Sequence, residues 1–190
     1  MKSLPFTALL AVPLLAACTP HAEAPAPNAF IPTASIQEIM NSQVDPAADF
    51  LWESVSSETT AAGTVDHQPQ TDAEWLELRH AAIRLVESAN LLVVEGRRVA
   101  AEGHHLEDAH VPGISSATEI QQAIDADRSA FISYAHALHS TATQLLNAVD
   151  AKDPQALIVA GGHLDEACES CHMKYWYPNA PLPPELAANR

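Results

Sequence analysis

The strongest chemical signature in the chain is the run Cys168-Glu169-Ser170-Cys171-His172. Cys-x-x-Cys-His is the attachment motif of a c-type haem, in which the two cysteines form thioethers with the haem vinyl groups. On a helix, residues three and four positions apart lie on the same side, so both sulfurs and the imidazole project together. The motif therefore predicts one covalent haem c held by Cys168 and Cys171, with His172 as the proximal iron ligand.

A Cys-x-x-Cys pair also occurs in redox dithiols and in zinc sites. A thioredoxin-type dithiol needs a βαβ pattern, which this sequence lacks. A zinc site needs further ligands at suitable spacing, and none follows here. The third cysteine, Cys18, lies in the N-terminal leader, so no disulfide is expected.

The N-terminal residues have the form of a targeting segment. Lys2 precedes the apolar run 4–15, and the junction Leu-Ala-Ala-Cys18 resembles a bacterial lipoprotein cleavage site. We expect residues 1–17 to be a signal peptide and Cys18 to carry lipid, the alternative being an ordinary secretory signal. The proline-rich stretch 18–34 predicts an extended tether to a membrane. Thr19, rather than Asp, follows Cys18, which slightly favours the outer membrane of a bacterial envelope.

Composition favours packed helices over sheets, because only 5% of the residues are aromatic and glycine occurs 6 times. The 24 acidic residues outnumber the 9 Lys and Arg, which gives a formal charge of −15. Such a charge excludes nucleic acid as a natural partner, since phosphate binding needs cationic side chains. The charge is compatible with a basic redox partner that the negative field of the protein attracts, or with a solvated acidic surface that binds no partner.

Four helical segments are predicted in a domain spanning residues 35–177, followed by a proline-rich tail at 178–190. Three segments begin at capping boxes, in which Ser or Thr precedes Glu by three residues. The fourth begins at Asp153, with Pro154 at the first helical position. The three capping boxes are Ser35 with Glu38, Thr71 with Glu74, and Ser116 with Glu119.

The apolar spacing sets the expected extent of these helices. The first covers about 35–55 and should kink or restart near Asp45, because Pro46 breaks its hydrogen bonding. The second runs from Thr71 to about Gly103, and the third runs on from Ser116. Asp127 breaks the apolar stripe of the third helix and is expected at the end or edge of the bundle. No strand-like alternation exceeds a few residues. Short links then favour an all-α, antiparallel up-down-up-down four-helix bundle with the haem on the fourth helix.

A helical bundle with a Met in its first helix and Cys-x-x-Cys-His late in its last resembles the class II c-type cytochromes, the cytochrome c-prime family. The resemblance covers roughly residues 33–177 and rests on the strings Glu-Ile-Met at 38–40, Asp-Pro-Ala-Ala-Asp-Phe-Leu-Trp at 45–52 and Cys-His-Met-Lys-Tyr-Trp at 171–176.

The resemblance implies roles for single residues. The family aromatic three residues after the haem histidine packs near the ring, which implies that role for Tyr175. Trp176 stands where the family commonly has a basic residue, and Ile36 where an Arg commonly meets a haem propionate, so the propionate partners stay unassigned. Low-spin members keep a first-helix Met on the iron, which implies that Met40 is the distal ligand.

Met40 has an alternative role as core filler, since Met commonly fills irregular gaps. Rival distal ligands are histidines of the second to fourth helices, each better explained as a surface or boundary residue. Trp52 and Trp75 are expected in the bundle packing, with a contact to the haem edge as the alternative. The rival histidines are His80, His136, His139 and His163. The middle loop is interpreted as a solvated loop, the alternative being a weak metal site that would involve His104, His105, His110, Glu107 and Asp108.

Electron transfer through Fe(II)/Fe(III) cycling is the leading functional hypothesis, for an exported, membrane-anchored protein with redox protein partners. The second is binding of a diatomic gas, NO or CO, at an open distal face. A peroxidase would need a distal acid–base group, and no distal His–Arg pair is evident. Both a monomer and a homodimer are compatible with the sequence.

Overall fold

The computed structural model describes residues 30–179, so the leader, Cys18 and most of the tail lie outside the described residues. The body is a bundle of helices, which confirms the all-α prediction. The helical elements are α1 (Ile36–Ile39), a π-helical segment (Met40–Val44), α2 (Asp45–Glu53), α3 (Asp72–Leu92), α4 (Ala117–Ala126), α5 (Arg128–Asp150) and α6 (Pro154–Tyr175). The helix α5 packs against both α3 and α6, and α2 packs against α3.

The helix starts are where the capping signals predicted them. All three capping boxes form completely: the Ser or Thr side chain accepts from the Glu backbone N–H, and the Glu carboxylate accepts in return. At α6, the carboxylate of Asp153 accepts from the backbone N–H groups of Gln155 and Ala156, both at 3.0 Å. Asp127 separates α4 from α5 and caps α5 by accepting from the N–H of Ala130.

The first helix passes Pro46 by widening its turn. The backbone N–H of Asp45 donates to the carbonyl of Met40, five residues back, and the residues between them form the π-helical segment. Pro46 has no N–H, and its ring crowds the preceding turn of a regular helix. A π turn relieves that crowding without ending the helix. The irregularity predicted near Asp45 is therefore a π turn, after which regular α-helix resumes as α2 at that residue.

The predicted end of the second helix near Gly103 is wrong, because α3 ends at Leu92. Gly96 has a φ of +77°, which lies outside the helical region. Arg97 is 8% exposed, and its Nε donates to the carbonyl of Leu91 at 2.7 Å. The seam position Val99 is nevertheless buried, at 4% exposed. The apolar spacing continued because the loop, like the helix, faces the core.

A two-stranded antiparallel hairpin, β1 (Ser56–Thr60) and β2 (Gly63–His67), occupies the segment expected to lack strands. Thr59 faces Thr64, with their hydroxyls 3.0 Å apart. Every residue of β2 is exposed. The sequence shows no alternation there because neither face packs on the core.

The segment 93–116 closes one end of the bundle. The backbone N–H of Ile36 donates to the carbonyl of Arg98 at 2.8 Å, and that of Gln37 donates to the carbonyl of Val99 at 3.0 Å. At its far end, the N–H of Ser115 donates to the carbonyl of Trp176 at 2.7 Å. The segment thus joins the start of the first helix to the end of α6. Within residues 30–179, no helix is both long and apolar enough to cross a membrane.

Candidate haem site

Two adjoining cavities lie beside the C-terminal half of α6. The larger has a volume of about 400 Å³ and includes Cys168 in its wall, whereas the smaller, of about 150 Å³, is lined by Tyr175 and Trp176. The larger cavity has the volume of a ligand site, since small-molecule pockets are typically ~300–1,000 Å³. The residues that line both cavities are Met40, Asp45, Leu92, Cys171 and His172.

The fold brings together all the described residues predicted for the haem. Cys168, Cys171 and His172 lie on one side of α6, as the motif spacing predicted, and Met40 faces them from the first helix. The donor set is therefore two thiols, an imidazole and a thioether around one space. That set fits a covalent haem with two axial ligands.

Both thiols of the motif are half-buried and free. Burial raises the pKa of Cys168 to about 11, with a smaller contribution from Asp45, and burial raises the pKa of Cys171 to about 12. A reactive dithiol needs the opposite change, a lowered pKa. The surroundings of this pair therefore disfavour the redox-dithiol alternative.

The His172 imidazole is half-buried and packed by aromatic rings. The ring of Trp176 meets it edge-on, with centroids 5.0 Å apart and an interplanar angle of 89°. Tyr177 approaches it at 6.2 Å. Burial lowers the pKa of His172, and the nearby Glu169 carboxylate partly opposes that shift. A neutral imidazole is the form that binds a metal.

Met40 is half-buried at the junction between α1 and the π-helical segment and packs against the core. Partial burial raises the pKa of the neighbouring Asp45, and the carboxylates of Asp49 and Glu107 add to this shift. None of the rival histidines lines either cavity in the described part of the chain. His80, His136 and His163 are exposed, and His139 is half-buried.

Tyr175 is 5% exposed and contacts two rings edge-on. Its centroid lies 5.7 Å from that of Phe131 and 5.8 Å from that of Tyr134. The Tyr175 hydroxyl and the Trp176 indole N–H are both buried without a hydrogen-bond partner in the protein. Unpaired buried donors are costly, which indicates an acceptor supplied from outside the chain. This observation also fits a bound haem, whose carboxylates are acceptors.

Of the two tryptophans considered for the haem edge, only Trp52 lines a cavity. Its Nε1 donates to the carbonyl of Gly161 at 3.0 Å, which ties α2 to α6 beside the larger cavity. Trp75 is buried in the bundle core, in agreement with its predicted packing role.

The suggested metal cluster of the middle loop does not assemble. His104, His105 and His110 are exposed, and no group of three potential ligands forms among residues 30–179. The loop contributes instead through Leu106 and Glu107, which line the smaller cavity. Sequence reasoning missed these wall residues, because a loop without periodicity carries no signal of which side faces the site.

Residues 94–176 match the model of the family described as Cytochrome C'. A search of the curated proteins and a search of the solved structures each gave no match. The matched region runs from just beyond α3 to the end of α6 and includes the complete Cys-x-x-Cys-His motif. This match, the helical bundle and the donor set beside α6 support a class II c-type cytochrome of the cytochrome c-prime family, which is a haem c protein.

Proposed function

We propose that this haem protein is an electron carrier, with Cys168 and Cys171 as the thioether cysteines, His172 as the proximal ligand and Met40 as the distal ligand. The single observation that carries the proposal is that Met40 lines both cavities together with His172. A haem supplies a one-electron Fe(II)/Fe(III) couple when bound.

The π-helical segment supports the position proposed for Met40. Pro46 is accommodated by the widened turn between Met40 and Asp45, so the first helix continues without a break. Ile39 and Val44, on either side of this turn, are each only 2% exposed. The segment is therefore anchored on the core at both ends, which holds Met40 against the cavity wall and limits its reorganisation during electron transfer.

The charge around the site supports a cationic redox partner. Every Asp or Glu in the wall of the larger cavity is exposed, and no Lys or Arg lines either cavity among the described residues. An acidic rim on a chain of net charge −15 attracts basic proteins and raises their association rate. This acidic rim consists of Asp45, Asp49, Asp165 and Glu169.

Optical spectra of the oxidised and reduced protein test the axial ligands. We expect a low-spin ferric spectrum with a near-infrared sulfur-to-iron charge-transfer band, and a reduced form that resists carbon monoxide. A wild-type protein that is high-spin and binds carbon monoxide readily would overturn the proposal. Met40 would then be core filler, and gas binding would become the leading function.

We also propose that the protein is lipid-anchored in a bacterial envelope through Cys18. The support is the leader pattern of residues 1–17 and the proline-rich stretch 18–34. Detergent-phase partitioning tests this, because a triacylated or diacylated N-terminus holds a protein on a membrane stably. Wild-type protein should enter the detergent phase and Cys18→Ala should not; equal partitioning of both would exclude the anchor.

A further inference from the structure

The wall of the smaller cavity includes two residues whose hydrogen-bond donors the protein leaves unused. These donors are the Tyr175 hydroxyl and the Trp176 Nε1, both buried and unpaired. Both residues line this cavity, and Tyr175 is 95% buried as a residue, being only 5% exposed. Burying such donors without an acceptor is unfavourable, because they lose their hydrogen bonds to water. Their environment therefore calls for an acceptor inside the smaller cavity.

The two side-chain amides in the wall of this cavity already donate hydrogen bonds. Gln37 donates from Nε2 to the carbonyl of His105 at 3.2 Å, and Asn41 donates from Nδ2 to the Glu107 carboxylate at 3.3 Å. The position one turn before Met40 is the apolar Ile36, which lines the cavity as well. Neither Lys nor Arg is present in the described cavity wall. The free donors of this wall are thus neutral and belong to α6 and its C-terminal cap.

The covalent structure of haem directs its carboxylates toward this end. The two vinyl groups and the two propionates occupy opposite edges of the ring, so thioethers at one end place carboxylates at the other. Cys168 lines only the larger cavity, whereas Tyr175 and Trp176 line only the smaller one. The unused donors are therefore on the side of the site away from the first thioether position.

We propose that the Tyr175 hydroxyl and the Trp176 indole N–H donate hydrogen bonds to the haem propionates. In this chain, two neutral donors take the place of the cationic side chain that commonly pairs with a haem propionate. A carboxylate that accepts such charge-assisted bonds is stabilised as an anion without a counter-cation. The arrangement suits this site, because its wall contains Asp and Glu side chains but no Lys or Arg among the described residues. This proposal requires the haem but does not depend on the identity of the sixth ligand.

Resonance Raman spectroscopy of the purified holoprotein tests the proposal through the propionate bending bands, which shift when hydrogen bonding changes. Tyr175→Phe and Trp176→Phe keep an aromatic ring and remove one donor each, so each should shift a propionate band. Tyr177→Phe is the matched control, because the Tyr177 hydroxyl already donates to the Glu169 carboxylate; its propionate bands should not move. Unchanged propionate bands in both Tyr175→Phe and Trp176→Phe would overturn the proposal.

Two further measurements cover other outcomes. Lys174→Gln should leave the bands unchanged; a shift only in this variant would assign the propionate to the exposed Lys174 instead. A second test needs no variant. The reduced protein under carbon monoxide is diamagnetic whether Met40 or the gas binds the iron, so NMR applies to either. A nuclear Overhauser contact between the Trp176 indole proton and propionate methylene protons is expected, and its absence would contradict the assignment of Trp176.

Discussion

Trp52 and Gly161 are in direct contact between α2 and α6. The Trp52 Nε1 donates to the Gly161 carbonyl at 3.0 Å, and a methyl group at position 161 would lie 3.1 Å from the Trp52 Cδ1. That separation is shorter than an ordinary contact between carbon atoms. A glycine at this position therefore allows the first helix to approach the helix that carries the haem motif.

Gly161→Ala should be less stabilising than Gly162→Ala, although both replace adjacent glycines of α6. Each substitution gains about 1 kcal/mol of helix propensity. A methyl at Gly162 meets nothing within 4 Å, so that gain is retained. A methyl at Gly161 lies too close to the Trp52 side chain, and this contact opposes the gain in helix propensity. Denaturant unfolding should show free energies of unfolding that differ by about 1 kcal/mol or more between the two variants. Equal values would mean that the Trp52 side chain moves aside at no cost in stability.

Met40→Ala should convert the ferric protein from low-spin to high-spin and allow carbon monoxide to bind the reduced form. The reduction potential should fall, because a Met/His pair raises the potential of a haem. Met173→Ala is the control, since Met173 is 38% exposed and lines neither cavity. Absorption spectra and a redox titration measure both effects. The same low-spin spectrum in Met40→Ala would assign the sixth ligand to another residue.

Electron exchange with small redox reagents should depend on salt according to reagent charge. Oxidation by a cationic complex should slow with rising ionic strength, and oxidation by an anionic complex should accelerate, because salt screens the acidic rim. The double variant Asp49→Asn, Asp165→Asn should reduce the low-salt rate with the cationic complex roughly two- to fivefold.

The matched control for this experiment is Glu77→Gln, Glu87→Gln, which makes the same change in net charge on α3. Neither glutamate lines the two haem-site cavities. Stopped-flow rates should therefore fall less in the control than in the rim variant. Equal losses in the two variants would show that the total charge, and not the acidic rim, steers the reagent.

Acid should destabilise the protein through its three capping boxes. Hydrogen bonds from the backbone and the capping side chain lower the pKa of Glu38, Glu74 and Glu119. A carboxyl group whose pKa is lower when folded contributes stability above its unfolded pKa of about 4.3, and that contribution is lost as the pH falls through the folded pKa. The free energy of unfolding should therefore decline below about pH 4.5.

Replacing these three glutamates with glutamine tests the assignment. Glutamine keeps a capping acceptor but cannot titrate, so the decline in acid should be shallower in the triple variant. A variant with Glu77, Glu87 and Glu166 changed to glutamine carries the same change in net charge outside the capping boxes. Identical slopes for the two triple variants in urea titrations at several pH values would refute the capping explanation.

Local signals in the sequence were sufficient for much of the fold. The capping boxes predicted three helix starts, because a cap is made by residues three apart and needs no tertiary partner. Pro46 predicted the irregularity near Asp45 for a similar reason, since its missing N–H acts on the adjacent turn. The Cys-x-x-Cys-His motif predicted the haem chemistry, because its geometry is set within a little more than one helical turn.

The tertiary structure decided what depends on distant contacts. The end of α3 at Leu92 depends on Gly96 and on the burial of Arg97 against the helix end, whereas the apolar periodicity continued to Val99. The two unpaired donors beside His172 become apparent only when the partners of every neighbouring polar group are known. By itself, the sequence determined the helix starts and the haem-binding motif, since each is a short-range pattern. Only the tertiary structure decided that Met40 and His172 share one space and which donors face it, because packing between helices fixes both.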